Sequence, residues 1–324
     1  MSLTHRTRQL ATSAPAPATF VHAVSPSNFY LRFTRHHLQI ALGLFWLLDG
    51  ALQFQPYMLG TGLANQVIAP TASGQPHWVS APVLWVARLI AAHPVAWDVP
   101  FALIQLLIGL GLLFPRTTRL ALAVSVPWGL GVWFFGEGLS GMASGHASLL
   151  TGAPGSVLVY VLLAIAAWPS RDPRQVAPAR WLTIAWAVIW VGGAIFQALP
   201  AQNTGPDLVS ALAGPVPASG WVTSHGTPLV VGLVIVEALI GLAALHRRTR
   251  VAGVAVGFVL ALAIWVIGQD FGLLFSGQAT DPNTAPLLAL MAVAILGGNR
   301  PRVAASDRRS WAWQEAFGST SPAR

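Results

Sequence analysis

Phe101-Ala102-Leu103-Ile104-Gln105-Leu106-Leu107-Ile108-Gly109-Leu110-Gly111-Leu112-Leu113-Phe114 and, 132 residues later, Leu233-Val234-Ile235-Val236-Glu237-Ala238-Leu239-Ile240-Gly241-Leu242-Ala243-Ala244-Leu245-His246 decide the fold. Each is an apolar run broken by one polar residue at the same place, Gln105 or Glu237, with a glycine one helical turn later. The same shift of 132 carries His93 onto His225, Trp133 onto Trp265, Gly136 onto Gly268 and Gly145 onto Gly277. It also carries Ala147-Ser148 onto Ala279-Thr280 and Pro154 onto Pro286. Upstream the shift becomes 144: Trp46 meets Trp190, Gly50 meets Ala194, Gln53 meets Gln197 and Pro56 meets Pro200. The difference of 12 places a longer loop in the first half. A long period of this kind marks a tandem duplication.

Composition says where such runs live. Of 324 residues, 54% are hydrophobic and 9% are charged, and the mean hydropathy is +0.61. A soluble domain carries about 25% charged residues, so the chain is to be counted in membrane spans. Eight apolar segments approach the roughly 20 residues that a bilayer core requires: 38–58, 98–115, 119–137, 153–169, 181–199, 228–245, 251–269 and 284–299. The segment 80–92 is short and contains Arg88; it reads as an interfacial helix, a ninth span being the other reading.

The 18 basic residues are all arginine. Arg32 and Arg35 precede the first span, Arg116 and Arg119 follow the second, and Arg171, Arg174 and Arg180 follow the fourth. Arg247, Arg248 and Arg250 follow the sixth, and Arg300, Arg302, Arg308 and Arg309 the eighth. The alternate loops carry only Arg88. By the positive-inside rule, both termini are cytoplasmic in a multi-pass protein of the plasma (inner) membrane. The same clustering between apolar runs argues against nucleic acid as the reason for the net charge of +8.

The expected fold is therefore an all-α membrane protein with eight transmembrane helices in two parallel four-helix repeats, related by an axis along the membrane normal. The expected organisation is a disordered cytoplasmic arm over 1–37, a first repeat over 38–169, a second over 181–299 and a cytoplasmic tail over 300–324. Trp311, Trp313 and Phe317 beside Arg308 and Arg309 suit a short interfacial helix in that tail.

Polar residues within spans are costly and face the bundle interior or a cavity. Asp49, Gln53, Gln105, Gln197 and Glu237 form such a set. Trp46, Asp49, Gly50 and Gln53 stand at i, i+3, i+4 and i+7, on one helix face; Trp190, Gly193, Ala194 and Gln197 repeat it without the acid. These residues read either as a proton or cation site using Asp49 and Glu237, or as interhelical hydrogen bonds that fix the bundle. A second candidate lies at the outer ends. His93 is 24 residues before the turn near Thr117 and Glu137 is 20 after it, so helix rise puts both at one height. His225 with Gln269 and Asp270 repeats the arrangement. A histidine at a helix N-terminus is disfavoured as a cation and suits hydrogen bonding or general base work; capping and headgroup contact is the alternative. The glycine-rich stretch Gly136, Gly138, Gly141, Gly145, Gly152 and Gly155 either brings backbone to a ligand or turns a loop. His146 and Asp281 are weaker candidates in the outer loops. There is no cysteine, His-x3-His pair or outer methionine cluster, so no metal site is assigned. Walker, dinucleotide and Gly-x-Ser-x-Gly motifs are absent.

Two segments carry a family resemblance: Phe45-Trp46-Leu47-Leu48-Asp49-Gly50 with Gln53-Phe54-Gln55-Pro56, and Trp133-Phe134-Phe135-Gly136-Glu137-Gly138. With four spans per unit and a short basic turn between the second and third, the chain resembles the DoxX/DoxD-like superfamily, taken twice over 38–299. The resemblance implies a membrane redox system, with quinone as a ligand and a separate membrane or extracytoplasmic redox partner. Beside that expectation stand a proton-coupled carrier of a small solute and a structural or assembly subunit without chemistry. An enzyme activity is not specified.

Overall fold

The computed structural model describes residues 33–169, 179–200 and 219–298. The N-terminal arm before that, the tail helix, Arg171, Arg174 and most of the 200–227 loop lie outside the described residues. Within them there are ten α-helices and no strand. In chain order these are α1 (Arg35–Leu52), α2 (His77–Ala92), α3 (Pro94–Leu113), α4 (Thr118–Phe135) and α5 (Ser156–Ala166). Then come α6 (Ala179–Gln197), α7 (Ser219–Ser224), α8 (Gly226–Leu245), α9 (Arg250–Ile267) and α10 (Thr284–Gly298).

Four of them, α3, α4, α8 and α9, are long and apolar enough to cross a membrane. Their outward faces are apolar: Leu107 is 67% exposed, Leu120 67%, Leu239 60% and Val259 64%. Continuous exposed apolar surface of this kind fits a lipid surrounding and not water. The other four expected spans coincide with α1, α5, α6 and α10, of 18, 11, 19 and 15 residues. Helix α5 is the shortest because Gly155 enters it at φ +107° and Trp168-Pro169 follows its end. It spans about 17 Å, and Val159, Tyr160, Leu163 and Ala166 are buried. It is a core helix, packed against α4, α1 and α10.

Helix α1 starts at a capping box with histidine in the acceptor role. Thr34 Oγ1 accepts from His37 N at 3.4 Å, and Thr34 N donates to His37 Nδ1 at 3.0 Å, satisfying amides that helix geometry leaves unpaired. It ends at Leu52, before Pro56. Helices α1 and α3 pack lengthwise and antiparallel, as do α6 and α8. Segment 80–92 lies within α2, which packs with the loop residues Met58, Leu63, Ala64 and Ile68 into a separate apolar cluster.

Local structures recur in the two halves. Thr117 Oγ1 donates to Gly111 O at 2.8 Å after α3, and Thr249 Oγ1 to Ala243 O at 2.9 Å after α8. After α4, residues Gly138, Leu139, Ser140 and Gly141 all have positive φ; after α9, Asp270, Phe271, Gly272 and Leu273 do. Trp133 Nε1 donates to Pro154 O, and Trp265 Nε1 to Pro282 O, each at 2.8 Å. The partner in the second half is thus Pro282 and not Pro286, because the loop before α10 is four residues shorter. Trp133→Phe or Trp265→Phe leaves a proline carbonyl unpaired and is expected to cost about 1–3 kcal/mol, read as a lower unfolding midpoint in detergent.

Candidate functional site

Helix α1 turns Trp46, Asp49 and Gln53 to one side, and α3 meets that side with Gln105. Between them, α2 and α4 lies a cavity of about 460 Å³. Its walls are aromatic: Trp46, Trp85, Trp97, Phe101, Trp128 and Phe135. The Trp46 ring is backed by Tyr160 at 4.6 Å, and Phe101 meets Trp128 edge-on at 5.5 Å. Asp49, Gln53 and Gln105 line it while being almost fully buried. Asp49 Oδ1, Gln53 Oε1 and Gln105 Oε1 have no hydrogen-bond partner. Buried polar groups without partners are costly, and Asp49, Gln53 and Gln105 give this apolar cavity a polar side that a ligand can pair.

The cavity's other polar end comes from loops. Helix α4 stops at Phe135, so Glu137 lies beyond it. Glu137 Oε1 accepts from Ser156 Oγ at 2.7 Å and from Val157 N at 3.4 Å; Oε2 accepts from Ser140 Oγ at 3.4 Å. Gly155 is required beside it, since a Cβ there would overlap Glu137 Oε2. Asp281 arrives from the loop before α10. Its Oδ2 accepts from Thr280 Oγ1 at 2.9 Å and its Oδ1 from Asn283 N at 2.7 Å. Burial, and next the charge of Asp281, push the Glu137 carboxyl up to about 8. Burial likewise raises Asp281 above the usual carboxylate range.

A second chamber of about 620 Å³ adjoins the first and is polar, with Gln66, Thr71, Ser140, Ser144, His146 and Asn283 on its walls. Val67, Gly136, Glu137, Thr280 and Asp281 line both chambers. The two carboxyls therefore stand at the junction of an aromatic room and a polar vestibule.

The second half has related parts in another arrangement. Gln269 Oε1 accepts from Ala285 N at 3.1 Å, as Glu137 does from Val157 N. Gln269 Nε2 donates to Leu149 O at 3.2 Å, and Ser148 Oγ donates to Gln197 Oε1 at 2.6 Å. Glu237 is fully buried with neither carboxyl oxygen partnered.

The structure separates the histidines from the acids expected beside them. His93 is exposed at the N-cap of α3 and lines neither chamber. His225 is exposed too; its ring stacks on Trp221 at 4.7 Å and its Nδ1 lies 3.0 Å from Trp221 O. Asp270 is exposed at φ +43°. Glu137 and Gln269 turn inward instead. Asp49, Gln53 and Gln105 do come together, and Asp281 joins them from the other half. Asp98 escaped notice: it is fully buried in α3 with both carboxyl oxygens unpartnered. Its signal, an acid within an apolar helix, is the one that picks out Asp49. Among the described residues no three His, Asp or Glu side chains are grouped as ligands of one metal ion.

No family model, curated protein or solved structure matches the chain.

Proposed function

We propose that the chain is a plasma (inner) membrane protein of eight spans, two parallel four-helix repeats of DoxX/DoxD-like type with cytoplasmic termini, whose first half binds the ring of a quinone–quinol pair. The recurring threonine, tryptophan and left-handed turns support the duplication. The arginine-rich turns after α3 and α8 lie at the end of the helices away from the vestibule, which supports an outward-facing vestibule.

The observation that carries the ligand is the aromatic cavity with three polar side chains, Asp49, Gln53 and Gln105, in its wall. Tryptophan faces stack on a flat ring, and the cavity volume is ordinary for a small-ligand site. Gln53 and Gln105 carry amide N–H donors as well as acceptor oxygens, so the site can hold a carbonyl of the oxidised ring or a hydroxyl of the reduced one. With no cysteine in the chain, thiolate-held electron carriers in a redox reaction belong to a partner protein.

The test titrates the purified protein with a short-tailed benzoquinone and, separately, its dithionite-reduced hydroquinone, following tryptophan fluorescence. Both forms are expected to quench saturably. Gln105→Leu is expected to weaken binding about tenfold, the worth of one or two net hydrogen bonds. Absence of saturable quenching by either form would overturn the reading.

One observation favours a second reading. The vestibule and the cavity share the wall formed by Glu137 and Asp281, and movement of that wall would give a small polar solute a path. A proton-coupled carrier would need Asp49 and Glu237. Unchanged uptake into liposomes after Asp49→Asn with Glu237→Gln would discard it.

A further inference from the structure

We infer that the second half contains a closed counterpart of the aromatic cavity, shut by the side chain of Leu149, so that the chain takes one ligand and not two. The inference rests on the two-repeat reading and on the first cavity being the ligand site.

The two outer loops are in register up to this point. Gly145 and Gly277 both have positive φ, +79° and +75°. Four residues further on stand Leu149 and Asp281. Each loop serves the opposite half. Asp281, from the second, lines the first half's cavity. Leu149, from the first, enters the second half: a Cβ built on Gly193 would be 2.5 Å from Leu149 Cδ1. Gly193 is the position that matches Asp49 under the shift of 144. Where the first half has a carboxyl facing open space, the second has a glycine with leucine packed on it.

The polar floor survives beneath the leucine. Glu237, the counterpart of Gln105, is fully buried with both oxygens unpartnered. Its Oε2 is 3.4 Å from that same Gly193 Cβ position. Nothing about an apolar plug rewards a carboxyl there, since burying an unpaired polar group is unfavourable. A carboxyl under a plug is what remains when a ligand site has been filled from above. The loop is anchored over it by Ser148 on Gln197 and by Leu149 O on Gln269. Truncating Leu149 would open a small apolar space above the Glu237 carboxyl.

The chain has no cysteine, so single introduced thiols report access cleanly. Gln105→Cys and Glu237→Cys are each treated with methyl methanethiosulfonate, small and uncharged, and the mass shift is followed in time. Gln105→Cys is expected to react readily. Glu237→Cys is expected to react at least about tenfold more slowly, reached only by local opening. Adding Leu149→Ala should bring it to the Gln105→Cys rate, while Leu149→Met, which keeps the volume, should leave it slow. An unchanged Gln105→Cys rate with Leu149→Ala shows that the fold is intact. Fast labelling of Glu237→Cys with Leu149 present, or slow labelling after Leu149→Ala, overturns the inference. Hydroquinone stoichiometry then separates the two readings. One hydroquinone per native chain, with the labelling rates as expected, supports both. No binding at all removes the ligand reading, while the labelling rates still judge the plug.

Discussion

Gly109→Val will sharply reduce the yield of folded protein and, on the quinone reading, abolish ligand binding in the first half. A Cβ at Gly109 would lie 2.8 Å from Gly43 O and from Leu47 N, both backbone atoms of α1. Backbone cannot rotate away as a side-chain end does, so α1 and α3 must separate along their whole seam. Small residues at such seams supply the close packing that holds helices together in lipid. Alanine alone should cost about 1–3 kcal/mol, the usual penalty for overpacking, and valine more. The same seam sets the cavity: α1 carries Trp46, Asp49 and Gln53, and α3 carries Gln105. Parting the helices separates the polar groups that a single ring would bridge. Gly241→Ala should cost nearly as much, because a Cβ there would lie 2.9 Å from Ala187 O, again backbone of the facing helix, and 2.7 Å from a Val191 methyl. Gly232 has nothing within 4 Å of a built Cβ; alanine there should be neutral or stabilising by up to about 1 kcal/mol. Folded yield and unfolding midpoints in detergent, with hydroquinone titration, check the order. A Gly109→Val protein that folds and binds normally would contradict the packing argument.

The seam was legible because it is local. Gly109 and Gly241 each follow a polar residue by one turn, and a period of one turn is all that sequence needs to give a face. Asp49, Gln53 and Gln105 were legible for the same reason, as polar side chains that a lipid-facing surface would not carry. His93 with Glu137 failed because helix rise gives height and not direction. Both residues are level, yet Glu137 lies past the end of α4 in a left-handed turn that points its carboxyl at Ser156. Asp281 was underrated because its role depends on a loop crossing to the other half. The match of Pro154 to Pro286 was a coincidence of composition. The hydrogen bond from Trp265 identifies Pro282, and a loop shorter by four residues, rich in glycine and proline, leaves no periodic trace.

Between pH about 5 and about 8 the protein will lose stability as the pH rises, and Glu137→Gln will flatten that slope. The Glu137 carboxyl is raised to about 8 in the folded chain, against an ordinary 4.5. Through that interval the folded state keeps a proton that the unfolded state has released. Folding then takes up a proton, and such a reaction weakens with rising pH, by at most about 1.4 kcal/mol per pH unit for one group. Above about 8 both states are ionised and the slope ends. Asp281 is shifted in the same direction, so a residual slope should survive in Glu137→Gln and shrink further when Asp281→Asn is added. The groups facing Glu137 are the hydroxyls of Ser156 and Ser140, the carboxyls of Asp281 and Asp49 and, across the vestibule, His146. Glutamine is the right substitute because the chain already uses it at the matching place: Gln269 Oε1 accepts from Ala285 N as Glu137 Oε1 does from Val157 N. The variant should therefore fold, and its melting temperature should vary less with pH than that of the native protein. A native melting temperature that rises from pH 5 to 8, or a slope unaltered by the substitution, would mean that Glu137 is charged throughout. The consequence reaches the ligand. A neutral Glu137 at pH 7 lowers the charge at the junction between vestibule and cavity, which favours an apolar ring; on the quinone reading, affinity should fall as the pH passes about 8, and Glu137→Gln should remove the part of that fall that Glu137 causes.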